Sequence, residues 1–61
     1  MCQANAYIER GGIEEIVMEN VDILEPKGEN LFLRSLFGEQ KMLPLRIKLI
    51  SLVNNKIILE E

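Results

Sequence analysis

A chain of 61 residues buries only about 60% of the surface its unfolded form exposes, so residues 1–61 hold one thin core and a second domain is excluded. Hydrophobic residues make up 48% of the chain, mostly Ile, Leu and Val, with 5% aromatics and no tryptophan, a composition that folds and favours pleated surfaces over helices. A net charge of −3, no histidine and seven scattered basic residues disfavour nucleic acid, which is bound largely through Lys and Arg on its phosphates.

In chain order, Ala4, Ala6 and Ile8 alternate with Asn5, Tyr7 and Glu9, and Arg10-Gly11-Gly12 then supplies residues that tolerate positive φ: a strand and a turn. A second extended run, Ile13 to Glu19, continues through Asn20 into Val21-Asp22-Ile23-Leu24-Glu25, and Pro26-Lys27-Gly28 predicts a tight turn. The third strand is Asn30 to Leu36, closed by Phe37-Gly38-Glu39. A short fourth strand spans Gln40 to Leu43 and stops at Pro44, which cannot donate to a central ladder. The fifth runs from Arg46 to Val53, and Asn54-Asn55 signals a hairpin turn before the last strand, Lys56 to Glu60. Five to six short strands with frequent turns predict an all-β fold, a small SH3-like barrel.

Two irregularities carry information. Leu45, Ile47 and Leu49 set one apolar parity while Ile50 and Leu52 set the other, which predicts a bulge or bend near Leu49. Leu31-Phe32-Leu33, Met42-Leu43 and Ile57-Ile58-Leu59 are apolar at consecutive positions, so both faces of those strands are apolar. A chain this short cannot cover both faces, so an exposed apolar patch and a homodimer are expected, against the plainer reading of a monomer with a tolerated greasy surface.

The chain has no Gly-rich phosphate loop, no cysteine pair and no acid/base pair at a catalytic spacing. Glu14-Glu15 and Glu60-Glu61 read as ordinary surface carboxylates, so no enzyme is expected. No apolar run approaches the roughly 20 residues of a spanning helix, and the N-terminus lacks the regions of a signal peptide. A reducing cytoplasm is therefore the expected compartment, with a single, free thiol.

That thiol, Cys2, stands one residue from the α-amine of Met1. The amine and the Cys2 amide nitrogen close a five-membered chelate around a metal, and the amide nitrogen and thiolate close another. Nickel(II) suits strong nitrogen and sulfur donors in a tetragonal or square-planar field, although copper competes. One chain offers only part of that donor set, whereas two chains related by a two-fold axis complete it. A lone cysteine is also commonly an inert side chain, and the residues alone leave both readings open.

Met1-Cys2-Gln3-Ala4-Asn5-Ala6-Tyr7 resembles the opening of the CooT family, small nickel-binding accessory proteins of carbon monoxide dehydrogenase maturation. The likeness continues through Asp22-Ile23-Leu24-Glu25-Pro26 with Gly28, Leu36-Phe37-Gly38-Glu39-Gln40-Lys41, Pro44 before Ile47-Lys48, and Ile57-Ile58-Leu59. The resemblance implies one CooT-like domain, an SH3-like barrel, a homodimer, and Ni(II) bound through Cys2 for delivery or storage. A nickel enzyme such as carbon monoxide dehydrogenase, or its maturation factors, would be the partner. The family has also been labelled RNA-binding, so an RNA-binding module and a metal-free protein-interaction module remain the alternatives.

Overall fold

The structure, a computed structural model, describes residues 4–61. Its strands are β1 (Ala4–Arg10), β2 (Ile13–Lys27), β3 (Asn30–Ser35), β4 (Gln40–Leu43), β5 (Arg46–Ser51) and β6 (Lys56–Glu60). No helix occurs among the described residues. The strands form one sheet in the order β4-β3-β2-β1-β6-β5, which does not close, an architecture compatible with a small SH3-like barrel. Every pairing is antiparallel except that of β1 with β6.

The β1–β2 turn is the two-residue hairpin that the double glycine requires. Arg10 pairs with Ile13, and Gly11 and Gly12 both take positive φ, at 58° and 81°. The two extended runs expected on either side of Asn20 are instead one 15-residue strand, β2, because Asn20 itself takes φ 54° and the chain bends without leaving the ladder. Glu19 and Asn20 together oppose Asn5, a bulge that hands β2 over from β1 to β3. Past Val21, β2 pairs on one side only, which lets Pro26 sit inside the strand, opposite Leu31, rather than in the turn.

The bulge expected near Leu49 is present: the register of β5 against β6 shifts between Ile47 and Leu49. β5 ends at Ser51 rather than at Val53. Of Asn54-Asn55 only Asn55 takes positive φ, 51°, so the two-residue hairpin geometry is not met, and the turn widens to Leu52–Asn55. The Ser51 hydroxyl accepts the Asn54 N–H at 3.3 Å within it.

The inner faces of the strands meet in one core of Ala6, Ile8, Met18, Val21, Leu31, Leu33, Leu45, Ile57 and Leu59. The Lys41 ammonium donates to the Val17 carbonyl at 2.8 Å and ties β4 back over the first half of β2, curling the sheet. Ile58 lies outside that core but is only 4% exposed, in register with Tyr7 of β1 and Leu49 of β5 on the outer face. The chain thus covers both faces of β6 itself, against expectation, because β6 is flanked on both edges. Met42 on the short edge strand β4 stays half exposed.

The β3–β4 turn hangs on Ser35, the one buried polar side chain among the described residues. Its hydroxyl accepts the N–H groups of Phe37 at 3.2 Å and Glu39 at 3.0 Å, and the Ser35 N–H donates to the Glu39 carbonyl at 2.8 Å. Ser35→Ala leaves two amides without their acceptor, so urea unfolding should report a loss of about 1–3 kcal/mol with an unchanged m-value. A change within experimental error would show that these amides find water instead.

Candidate metal centre

Asn5 fixes the N-terminal end of β1 from two sides. Its N–H donates to the Asn55 carbonyl at 3.0 Å, which binds it to the β5–β6 turn. Its side-chain Oδ1 accepts the Asn20 N–H at 3.0 Å, and the Asn20 carbonyl accepts the Leu36 N–H at 2.8 Å, which binds it to the β2 bend and the β3–β4 turn. Asparagine is suited to both roles, since a short amide side chain tolerates the left-handed region at Asn20 and mimics a backbone acceptor at Asn5.

The two turns that meet this strand end are apolar at their tips. Phe37 is 80% exposed, Leu52 84% and Val53 92%, with Leu36 half exposed beside them. A solvent-facing turn ordinarily carries polar residues, so large apolar side chains in two turns bonded to one strand end are unusual; apolar side chains are also exposed on the strands, at Ile13, Ile16, Met42, Leu49 and Ile50.

Cys2 itself lies outside the described residues. Among those described, no three Cys, His, Asp or Glu side chains converge as a metal site would require. The sequence read Asn5 as a strand residue, ran the second extended segment through Asn20 and marked only Asn54-Asn55 as a turn; the bond between Asn5 and Asn20, 15 positions apart, was not legible.

The remaining candidates resolve into surface ion pairs. Glu14 lies 2.6 Å from Lys56, Glu15 4.0 Å from Arg10, Glu60 3.8 Å from Arg46 and Glu61 3.2 Å from Arg10, so the paired carboxylates face cations rather than each other. Lys48 bonds Glu9, Lys27 lies near Glu25, Arg34 near Asp22 and Lys41 near Glu39. All seven basic residues thereby carry a carboxylate partner. The Glu9 carboxylate, bonded to Lys48, raises that lysine's pKa, and Glu14 does the same for Lys56. Both lysines are fully charged at neutral pH and already engaged.

No helix among the described residues is long and apolar enough to cross a membrane. The class defined by these features is a small all-β domain with two apolar turns bonded to one strand end and with every basic side chain paired to a carboxylate. The model of the family described as CO dehydrogenase accessory protein CooT matches residues 1–60, and the chain belongs to that family. An uncharacterised protein of Methanocaldococcus jannaschii is 42% identical over 60 residues, covering 98% of each chain. A crystal structure assigned to CooT of Carboxydothermus hydrogenoformans superposes with a TM-score of 0.93 at 42% identity, covering 98% of this chain and 97% of that one.

Proposed function

We propose that the protein is a nickel(II)-binding accessory protein, a metallochaperone or store, that takes the metal through Cys2 at a site shared across a homodimer and serves the maturation of a nickel enzyme such as CO dehydrogenase. Membership of a family of CO dehydrogenase accessory proteins supports the accessory role. The observation that carries the shared site is the apolar rim around the start of β1. Two residues of chain reach at most about 7 Å, so a ligand held by Cys2 stays near the start of β1, to which Asn5 and Asn20 bond the turns that carry Leu52, Val53, Leu36 and Phe37. A partner that buries these side chains brings its own Cys2 to the same place by two-fold symmetry.

Donor chemistry selects the metal. With no histidine and one cysteine, the thiolate and the N-terminal nitrogens are the strong-field donors, and two copies supply a near square-planar set. Carboxylates prefer harder ions, and those of this chain are mostly engaged with lysine and arginine. The same ion pairs weigh against RNA binding, because a phosphate backbone would have to displace a carboxylate at each basic residue and the net charge of −3 repels it.

Calorimetric titration of the tag-free protein with nickel tests the reading. One Ni(II) per two chains is expected, with proton release and an affinity that climbs between about pH 6 and pH 8 as thiols and nitrogens deprotonate. One metal per chain held by oxygen ligands alone would sink the proposal. The absence of nickel binding, with the apolar rim covered by another protein, would favour the metal-free interaction module.

A further inference from the structure

We propose that a cleft formed by the β2–β3 turn, the β4–β5 link and the end of β6 is a docking site for an extended segment of a partner protein carrying Lys or Arg beside an apolar side chain. The cleft measures about 540 Å³, within the range of sites that bind ligands or peptide side chains. Its floor is the buried pair Leu31 and Leu45, and Pro26, Pro44 and Ile47 form apolar walls. Both prolines hold φ near −65°, so these walls are ordered before anything binds and little conformational entropy is lost on docking.

The rim decides the charge of the occupant. Arg46 is its one cation, and it is already committed: its guanidinium donates to a main-chain oxygen of Glu61 at 3.0 Å and lies 3.8 Å from the Glu60 carboxylate. Glu61 is held in turn by Arg10 at 3.2 Å. Glu29, projecting from the turn that Gly28 makes with φ 63°, has no cation within ion-pair distance among the described residues. The free charge at the mouth of the cleft is therefore a carboxylate, and an ammonium or guanidinium complements it while an acidic or phosphorylated segment is repelled.

The backbone adds a reason for an extended segment. β5, which enters the cleft at Arg46 and Ile47, is the terminal strand of the sheet, so one edge of it presents unpaired N–H and C=O groups. A strand laid there gains main-chain hydrogen bonds, places an apolar side chain on Leu31 and Leu45, and sets its neighbouring cation toward Glu29.

The probe is the blocked peptide acetyl-Gly-Leu-Lys-Leu-Arg-Gly-amide, titrated into the full chain by heteronuclear NMR beside a counterpart with Glu in place of Lys and Arg. Saturable amide shifts are expected at Leu31, Leu45, Ile47 and the Gly28–Glu29 turn for the basic peptide, and none for the acidic one. Glu29→Lys, on an exposed turn, and Ile47→Asp should each weaken binding at least about tenfold while keeping a dispersed spectrum. Cys2→Ser should leave the peptide affinity unchanged, which separates this site from the metal. Absence of saturable shifts, equal binding of the acidic peptide, or shifts confined to Leu52–Asn55 would overturn the proposal. So would a change of mass in solution with Glu29→Lys, since the cleft would then be an interface between copies.

Discussion

Cys2→Ser should reduce nickel affinity by at least about a thousandfold and erase the thiolate-to-nickel charge-transfer absorption, because in the proposed two-chain site the substitution removes both sulfur donors at once. A hydroxyl does not deprotonate near neutral pH and is a hard donor, so serine offers nothing in exchange. The far-ultraviolet sheet spectrum and the solution mass should be unchanged, since position 2 precedes β1 and the core of the domain begins at Ala4 and Ala6. Absorption spectroscopy and calorimetry on the two proteins, side by side, check the prediction. A Cys2→Ser protein that binds nickel as tightly as its parent would remove the cysteine from the mechanism altogether.

The second large effect is expected at the rim. In the double variant Leu52→Glu, Val53→Glu, two of the most exposed apolar side chains of the chain become charged in a turn that already faces solvent. The isolated fold should tolerate this, because neither side chain contributes to the core. A two-fold interface meets the change twice, losing about 1.5 kcal/mol or more of burial per side chain and bringing like charges together. Four such losses sum to about 6 kcal/mol, so the dissociation constant of the proposed dimer should rise by about four orders of magnitude, and sedimentation at micromolar concentration should report the 7.0 kDa chain mass instead of twice that value. Nickel affinity should fall with it, since in the proposed site a single chain supplies half the donors. A double variant that stays dimeric would place the interface elsewhere. A monomer that keeps full nickel affinity would show that one chain suffices for the site.

The sequence by itself determined the elements and their chemistry. Alternation in Ala4–Glu9, the double glycine at 11–12, Pro44 and the parity change at Leu49 place strands, turns and a bulge by local rules, because period-two patterning and positive-φ requirements act over a few residues. The absence of histidine and the single Cys2 restrict the metal chemistry for the same reason: a donor count needs no coordinates.

What only the tertiary structure decided is how those pieces meet. The parallel pairing of β1 with β6 joins positions some 50 residues apart, and it is what covers Ile58 on the outer face and makes Ile57-Ile58-Leu59 a buried strand rather than an exposed patch. The hydrogen bonds of Asn5 to Asn55 and to Asn20, and of Asn20 to Leu36, bring two apolar turns to the start of β1, which the linear order keeps far from them. Likewise Lys48 meets Glu9 and Lys56 meets Glu14 across strands, which pairs scattered basic residues with carboxylates distant in sequence. Local backbone preference is encoded within a few residues, whereas burial and charge pairing depend on which distant strands share an edge, and that is settled only when the whole sheet forms.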